Sequence, residues 1–146
     1  MMKINVVCVG KLKEKYWTDA VTEYVKRVSR FGTLTVCELA EKKTLEEEGK
    51  DILKNVKGYR ILCDVGGELV TSEGLAEMLN GAFVRGNAEV TFVIGSSEGV
   101  SDAVRSAADK RISFGRVTYP HQLMRVILAE QVYRALTILN NVTYHK

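Results

Sequence analysis

The sequence predicts one α/β domain, spanning residues 1–146, in which helices flank a mostly parallel sheet. Three observations support this class. The chain has 146 residues, of which 46% are hydrophobic and 27% charged, as is typical of a single globular domain with a sizeable core. Short β-branched runs alternate with segments whose apolar residues recur every three or four positions, which is typical of βαβ units. No repeat or low-complexity linker interrupts the alternation.

The five predicted strands are short apolar runs. They cover residues 3–10, 34–40, 60–65, 89–95 and 112–114. Continuous apolar runs of this length are typical of strands that are covered on both faces. We expect the third strand to stop at Gly66-Gly67, because paired glycines favour turns.

The five predicted helices cover residues 16–31, 41–57, 72–83, 102–110 and 122–139. Gly32 is expected to end the first helix, and Gly49 weakens the second because glycine has a low helix propensity. Thr71 or Ser72 is expected to cap the third helix and Ser101 the fourth, since their hydroxyl oxygens accept hydrogen bonds from free backbone amides.

The last predicted helix is apolar almost all round. Glu130, Arg134 and Thr137 share one narrow polar stripe, and nearly every other position is apolar. Such a helix must be covered on most of its surface. This favours a homodimer packed through the helix, with cover by a neighbouring helix of the same chain as the alternative. Arg125 lies on the apolar side, so we expect it to have an anionic partner or a functional role.

Composition narrows the functional classes. The net charge is +3, which is compatible with a polyanionic partner without requiring one. The three cysteines are far apart and form no C-x-x-C pair, which argues against disulfides and a zinc site. Two histidines without flanking carboxylates predict no metal site. No apolar run approaches the roughly 20 residues that cross a membrane, so we expect a cytoplasmic protein with no membrane partner.

Three glycine-bearing turns fall at the predicted carboxyl ends of strands, where parallel sheets bind ligands. They are Gly66-Gly67, residues 95–99 and the loop around Gly115. Residues 95–99 (GSSEG) also match G-x-S-x-G, so a serine hydrolase with Ser97 as nucleophile is one alternative. Against it, the next helix begins only after the Ser101 cap, whereas a nucleophile elbow runs directly into its helix.

The tail Tyr144-His145-Lys146 combines three chemistries that suit a nucleic acid. Tyrosine can stack on a base, histidine can move a proton near neutral pH, and lysine can bind phosphate. A frayed, solvated terminus is the alternative.

Four stretches of the sequence carry a resemblance to one family. They are residues 92–95 (FVIG) with 98–99 (EG), 119–125 (YPHQLMR), 128–135 (LAEQVYRA) and 144–146 (YHK). With the opening strand that ends in Val9-Gly10, this combination resembles the ribosomal RNA large-subunit methyltransferase H family of the SPOUT (α/β-knot) superfamily. The resemblance spans essentially the whole chain.

The resemblance implies a methyltransferase that uses S-adenosylmethionine. Members of the family methylate N3 of a pseudouridine in a stem-loop of 23S ribosomal RNA, on assembled ribosomes. The resemblance also implies a homodimer and a deep trefoil knot near the C-terminus. A non-catalytic ribosome- or RNA-binding module on the same fold is a second alternative, beside the hydrolase.

Carried over by position, the resemblance implies a cofactor site in three loops. The knotted loop that wraps the adenine corresponds to residues 114–119, with contacts made mostly by backbone. The residues implied to bind the cofactor are Cys63, Gly95, Phe114, Gly115, Arg116, Val117, Thr118 and Tyr119. Ser96 stands where the family usually has a second glycine. If that position needs a positive φ, serine would be strained and the loop would change shape.

Methyl transfer from a sulfonium requires alignment of the acceptor nitrogen and loss of its proton. His145 is our first candidate for handling that proton, and Tyr144 for stacking on or orienting the base. Arg125 and Arg134 are candidates for holding phosphate or stabilising negative charge on the ring. Glu130 is expected to orient Arg134, four residues further along the helix.

A dimer through the last helix would carry each tail toward the partner's cofactor, so we expect a composite site. Six cations near the start of the chain are candidates for a basic rim that meets the RNA backbone. They are Lys11, Lys13, Lys15, Lys26, Arg27 and Arg30.

Overall fold

The computed structural model describes residues 2–144, in which five strands and five helices alternate. The strands are β1 (Met2–Val9), β2 (Gly32–Leu39), β3 (Tyr59–Leu69), β4 (Glu89–Ile94) and β5 (Lys110–Ser113). The helices are α1 (Lys15–Val28), α2 (Leu45–Asn55), α3 (Ser72–Val84), α4 (Asp102–Ala107) and α5 (His121–Leu139). The predicted alternation of strands and helices is confirmed.

The strands form one sheet in the order β2-β1-β4-β3-β5, and all four strand pairs are parallel. Side chains of the interior strand β1 alternate between two hydrophobic clusters. Ile4, Val6 and Cys8 belong to one cluster, and Val7 and Val9 belong to the other. Both faces of the sheet are therefore covered, which explains why the strands read as continuous apolar runs.

The helices lie in two layers. The first cluster contains Val28 of α1, Leu79 of α3 and Leu128 of α5, which cover one face of the sheet. The second contains Ile52 of α2 and Val104 of α4, which cover the other. Because the strands are parallel, all their carboxyl ends meet at one edge of this sandwich.

The expectation that β3 stops at Gly66-Gly67 is wrong. The strand continues to Leu69, and its pairing with β5 shifts register between Cys63 and Glu68. A Cβ on Gly67 would lie 2.7 Å from the backbone carbon of Arg111. Glycine at this position therefore lets two strands approach closely at a bulge, and it does not mark a turn.

Several element ends also differ from the prediction. Helix α1 ends at Val28, and Gly32 begins β2, where a Cβ would lie 2.3 Å from the carbonyl oxygen of Met2. Helix α2 starts only after Thr44, whose hydroxyl accepts from the amide of Glu47, so charged residues 41–43 are not helical. Helix α4 ends at Ala107 and β5 starts at Lys110.

Two predicted caps are confirmed. The Thr71 hydroxyl accepts from the amide of Gly74 at 2.9 Å, and the Ser101 hydroxyl accepts from the amide of Val104 at 3.3 Å. Each satisfies one amide that the first turn of a helix leaves without a partner.

Helix α5 lies against both α1 and α3. Seven of its residues are buried: Arg125, Leu128, Ala129, Val132, Ala135, Leu136 and Thr137. Neighbouring helices thus cover one side of α5, and its other residues are partly exposed. Thr137 is not part of an exposed polar stripe, because it is fully buried and its hydroxyl donates to the carbonyl of Arg134. Within residues 2–144, no helix has the length and apolar character needed to cross a bilayer.

The contact between α2 and α4 generates a stability prediction. A Cβ on Gly49 would lie 2.4 Å from the Ser101 hydroxyl oxygen that caps α4. We expect Gly49→Ala to lower the free energy of unfolding by about 1–3 kcal/mol, because overpacking and a disturbed cap outweigh the gain in helix propensity.

Gly81→Ala in α3 is the matched control, since a Cβ there meets only the flexible guanidinium of Arg85. It should leave the unfolding free energy unchanged or raise it by up to about 1 kcal/mol. Urea denaturation measures both variants. A stabilised Gly49→Ala protein would contradict this account of the α2–α4 contact.

Candidate functional site

A cavity of about 570 Å³ opens at the carboxyl ends of β3, β4 and β5. Its walls come from residues 62–65 of β3, from residues 94–97 and 99–100 at the end of β4, and from residues 112–115 and 118–121 at the end of β5. Arg105 and Met124 complete the lining. The cavity therefore lies where the sequence predicts ligand binding in a parallel sheet.

The loop after β4 brings backbone to the cavity wall. A Cβ on Gly95 would lie 2.5 Å from the carbonyl oxygen of Gly99, and Gly99 itself has a φ of +95°. Among residues 2–144, Asn141 is the one non-glycine residue with a positive φ. Ser96 therefore has an ordinary backbone conformation, and the strain considered for it does not arise.

The loop after β5 is held by the last residue of that strand. The buried Ser113 hydroxyl donates to the carbonyl of Gly115 at 2.8 Å and accepts from its amide at 3.2 Å. Of the residues implied to bind the cofactor here, Phe114, Gly115, Thr118 and Tyr119 line the cavity.

Arg116 and Val117 do not contribute to the cavity lining. The Arg116 guanidinium donates to the carbonyl of Val65, and Val117 is 62% exposed. Arg116 therefore ties the loop back to β3, while Val117 faces outward.

On the β3 side of the cavity, a neutral thiol lies next to a carboxylate that is held by hydrogen bonds and ion pairs. Burial raises the pKa of Cys63 to about 12, so this thiol stays protonated and acts as an apolar lining group. Asp64 accepts from the amide of Gly66 at 3.0 Å and from Arg111 at 3.3 Å. The Arg105 guanidinium lies 3.7 Å from the same carboxylate. These contacts fix the wall just before the β3 bulge.

Sequence reasoning missed His121 and Met124 as lining residues. Both lie in the first turn of α5, directly after the loop that ends at Pro120. Burial, and then the positive charge of Arg125, lower the pKa of His121, with Glu41 opposing the shift. A neutral imidazole therefore borders the cavity at neutral pH. Its position immediately after the loop is the signal that would have pointed to it.

Arg125 is buried, with 2% exposure. Its guanidinium donates to Glu38 at 2.9 Å and to the carbonyl of Val9 at 2.9 Å, which supplies the anionic partner that the sequence predicts. The remaining nitrogen, Nε, has no hydrogen-bond partner among the described residues. Within one chain these bonds make Arg125 a structural link between α5, β1 and β2, and its expected role toward phosphate or the ring stays a prediction.

A second group of expected residues meets on the far half of α5. Glu130 accepts from Arg134 at 2.7 Å, as the spacing predicts, and also from the Tyr144 hydroxyl at 2.7 Å. The Arg134 guanidinium lies 4.7 Å from the centre of the Tyr144 ring, and the Tyr133 ring packs edge-on against it. Burial, and then the hydrogen bond to Glu130, raise the pKa of Tyr144 to about 12. We call these three residues, Glu130, Arg134 and Tyr144, the tail cluster.

The tail cluster and the cavity are separate places within one chain. At 1.5 Å per residue, Glu130 lies about 9 Å and Arg134 about 15 Å beyond Met124 along α5. None of the three residues lines the cavity. His145, the candidate for proton handling, lies outside the described residues.

Ser97 lines the cavity. Residues 2–144 nevertheless do not form the hydrogen-bonded nucleophile and base of a serine hydrolase. The Ser97 hydroxyl makes no hydrogen bond there to a histidine or a carboxylate, and α4 begins only after the Ser101 cap. Between residues 2 and 144, no group of three or more histidine, cysteine or acidic side chains is placed to hold a metal ion.

Comparison with known proteins agrees with this geometry. A family model described as "Predicted SPOUT methyltransferase" matches residues 2–145. Two relatives named "Ribosomal RNA large subunit methyltransferase H" match 99% of this chain over their full lengths. The one from Lactobacillus johnsonii is 45% identical and the one from Ruminiclostridium cellulolyticum is 43% identical. A solved structure of a probable methylase family protein from Haemophilus influenzae Rd KW20 has a TM-score of 0.58 at 11% identity, over 99% of this chain and 71% of that chain.

The parallel sheet and the cavity at its carboxyl edge define a methyltransferase of the α/β-knot class, which confirms the predicted fold. The chain belongs to the ribosomal RNA large subunit methyltransferase H family of SPOUT methyltransferases.

The protonated state of Cys63 generates a prediction about reactivity. A rise of its pKa from 9.0 to about 12 lowers the thiolate fraction about a thousandfold at mildly alkaline pH, and the thiolate is the form that alkylates. Iodoacetamide should therefore modify Cys63 far more slowly than free cysteine, as followed by peptide mass spectrometry. Urea-unfolded protein is the control, in which Cys63 should react at the rate of free cysteine. Equal rates in the folded and unfolded chain would contradict the placement of this thiol.

Proposed function

We propose that this methyltransferase uses S-adenosylmethionine to methylate N3 of a pseudouridine in a stem-loop of 23S ribosomal RNA. The proposed substrate is the assembled ribosome, and the proposed location is the cytoplasm. The observation that carries the proposal is the convergence of Cys63, Gly95 and four residues of the loop 114–119 on one cavity. The names of the relatives support ribosomal RNA as the target.

The cavity suits the proposed cofactor. Its volume of about 570 Å³ falls within the range of roughly 300–1,000 Å³ that small-molecule sites occupy. Leu62, Ile94, Ile112 and Phe114 offer apolar surface to an adenine ring, and the Ser96, Ser97 and Thr118 hydroxyls stand among them. Gly95 keeps the wall free of a side chain. S-adenosylmethionine bound there would supply an electrophilic methyl group on a sulfonium.

The chain's own task is to present the acceptor nitrogen and to remove its proton. We assign the proton to His145, the immediate neighbour of Tyr144 in sequence. Tyr144 stays protonated near neutral pH because its pKa is raised to about 12, so it orients the base rather than accepting the proton. Arg134 stabilises negative charge on the ring, and Glu130 holds Arg134 in place through a 2.7 Å ion pair.

Two copies of the chain would complete the site. Glu130 and Arg134 lie about 9 and 15 Å along α5 beyond Met124, the last helix residue that lines the cavity, so the proposal does not let one chain present both to a single base. The side of α5 that α1 and α3 leave partly exposed carries apolar residues, including Leu123, Val126 and Ile138. A homodimer packed through α5 would bury these residues and place each tail cluster next to the partner's cavity.

Gly95→Val tests the cofactor site. A side chain at Gly95 collides with the Gly99 carbonyl, so we expect at least a hundredfold weaker binding of S-adenosylmethionine in a calorimetric titration. Gly81→Ala, remote from the cavity in α3, should bind like the wild type. Wild-type protein that binds no S-adenosylmethionine would contradict the proposed function.

Separate substitutions test the tail. Tyr144→Phe and His145→Ala should retain S-adenosylmethionine affinity, because Tyr144 does not line the cavity and the proposal assigns His145 to the acceptor's proton rather than to the cofactor. We expect His145→Ala to slow methyl transfer to ribosomes about 10²–10⁴-fold, the usual contribution of a general base. Transfer of a radiolabelled methyl group measures this rate. Full activity in both variants would remove the tail from the mechanism.

A further inference from the structure

Residues 11–17 (KLKEKYW) form an exposed surface that the proposed chemistry does not use; we call it the lysine–aromatic segment. It follows β1 at the carboxyl edge of the sheet and continues into the first turn of α1. Residues 13–16 are all exposed. Tyr16 is 63% exposed, and its ring packs edge-on against Trp17 with centroids 4.9 Å apart. A large aromatic ring held at the surface beside three lysines is typical of a nucleic-acid contact.

The segment is held in place from inside the fold. The amide of Leu12 donates to Glu38 at 2.8 Å, and Arg125 donates to the same carboxylate oxygen at 2.9 Å. Gly10 makes the turn into the segment with a φ of +95°, and its amide donates to the carbonyl of Leu39 at 2.7 Å. A backbone that is already ordered loses less conformational entropy on binding than a free loop would.

The segment also adjoins the cavity. A Cβ placed on Gly10 would lie 3.8 Å from Nε2 of His121, and His121 lines the cavity. An RNA strand that presents one nucleotide to the cavity would therefore pass close to residues 11–17.

Three of the six cations suggested for the basic rim contact other side chains of the same chain. Arg27 is bound to Glu23 at 2.8 Å and lies over the Tyr24 ring. Arg30 lies over the Phe31 ring, and Lys15 is 2.6 Å from Asp19. Lys11 and Lys13 are exposed in the segment itself.

We propose that the lysine–aromatic segment is an RNA-docking surface, in which Tyr16 stacks on an unpaired base next to the target and Lys11 and Lys13 bind the flanking phosphates. The proposal rests on the proposed function, since it takes ribosomal RNA as the partner. Beyond that function, it specifies which part of the RNA is recognised, namely a single-stranded base with its phosphates. It assigns this recognition to Tyr16, Lys11 and Lys13. Arg125 and Glu38 act here as positioning residues.

The test measures binding of the full chain to assembled bacterial ribosomes that lack the methylation, over a series of salt concentrations. The variants are Tyr16→Ala, Tyr16→Phe and the double variant Lys11→Gln/Lys13→Gln. The matched control is Lys54→Gln/Lys57→Gln, which removes two exposed lysines near the opposite edge of the sheet, where β3 begins. Titration with S-adenosylmethionine, melting temperature and oligomeric state are measured for each variant.

We expect Tyr16→Ala to weaken ribosome binding roughly ten- to a hundredfold, since a stacked base contributes about that much. Tyr16→Phe should bind within about twofold of the wild type, because the ring suffices for stacking. Lys11→Gln/Lys13→Gln should lower the slope of log affinity against log salt by about 1–2, because each lysine removed leaves one phosphate without its cation. The control should keep the wild-type slope, and every variant should bind S-adenosylmethionine normally.

If the wild-type protein binds ribosomes and the Tyr16→Ala variant binds them equally well, the inference is overturned. The proposed function would still stand. Equal losses in the control lysine pair would also overturn it, because the attraction would then be spread over the whole surface. A change of oligomeric state in Tyr16→Ala would assign Tyr16 to a contact between copies of the chain and would equally overturn it. Wild-type protein that transfers no methyl group to ribosomes would instead count against the proposed function.

Discussion

Helix α5 imposes the constraint on which the rest of the site depends. It starts at the carboxyl edge of the sheet, where His121 and Met124 border the cavity, and it must run away from that edge because it packs along the sheet beside α1 and α3. Its rise per residue therefore carries Glu130 and Arg134 about 9 and 15 Å from Met124. Tyr144 lies back against this helix, because its hydroxyl donates to Glu130 at 2.7 Å. One chain consequently places the cavity and the tail cluster at different points along α5.

The arginines at the two ends of α5 have different environments. Arg125 is buried and bonds to Glu38 and to the carbonyl of Val9. An interior ion pair of this kind contributes little net stability, but it fixes how the elements that it joins are arranged. Arg134 is partly exposed, pairs with Glu130 and lies over the Tyr144 ring. The same residue type thus links elements of the fold at one end of the helix and belongs to the partly exposed tail cluster at the other.

The alternation of strands and helices, the Thr71 and Ser101 caps and the glycine-bearing edge of the sheet follow from local patterns, so the sequence predicts them. The features that it missed depend on distant neighbours. Gly67 permits a bulge only because β5 passes beside it, and nothing near Gly67 in sequence reveals that approach. The sequence predicts an anionic partner for Arg125, but it does not identify Glu38, which lies 87 positions away. The residues proposed to bind the cofactor came from the family resemblance, since backbone contacts leave little trace in side-chain types.

Subunit complementation tests the central claim that two chains build one active site. A Gly95→Val subunit keeps its tail but lacks a cofactor cavity, and a Tyr144→Phe/His145→Ala subunit keeps the cavity but lacks the tail. Each variant alone should be inactive on ribosomes. Randomly mixed dimers should recover about a quarter of wild-type methyl transfer, because half of the dimers are mixed and each has one complete site of two. An inactive mixture of subunits that have demonstrably exchanged, or a monomeric wild-type protein that is fully active, would contradict the account.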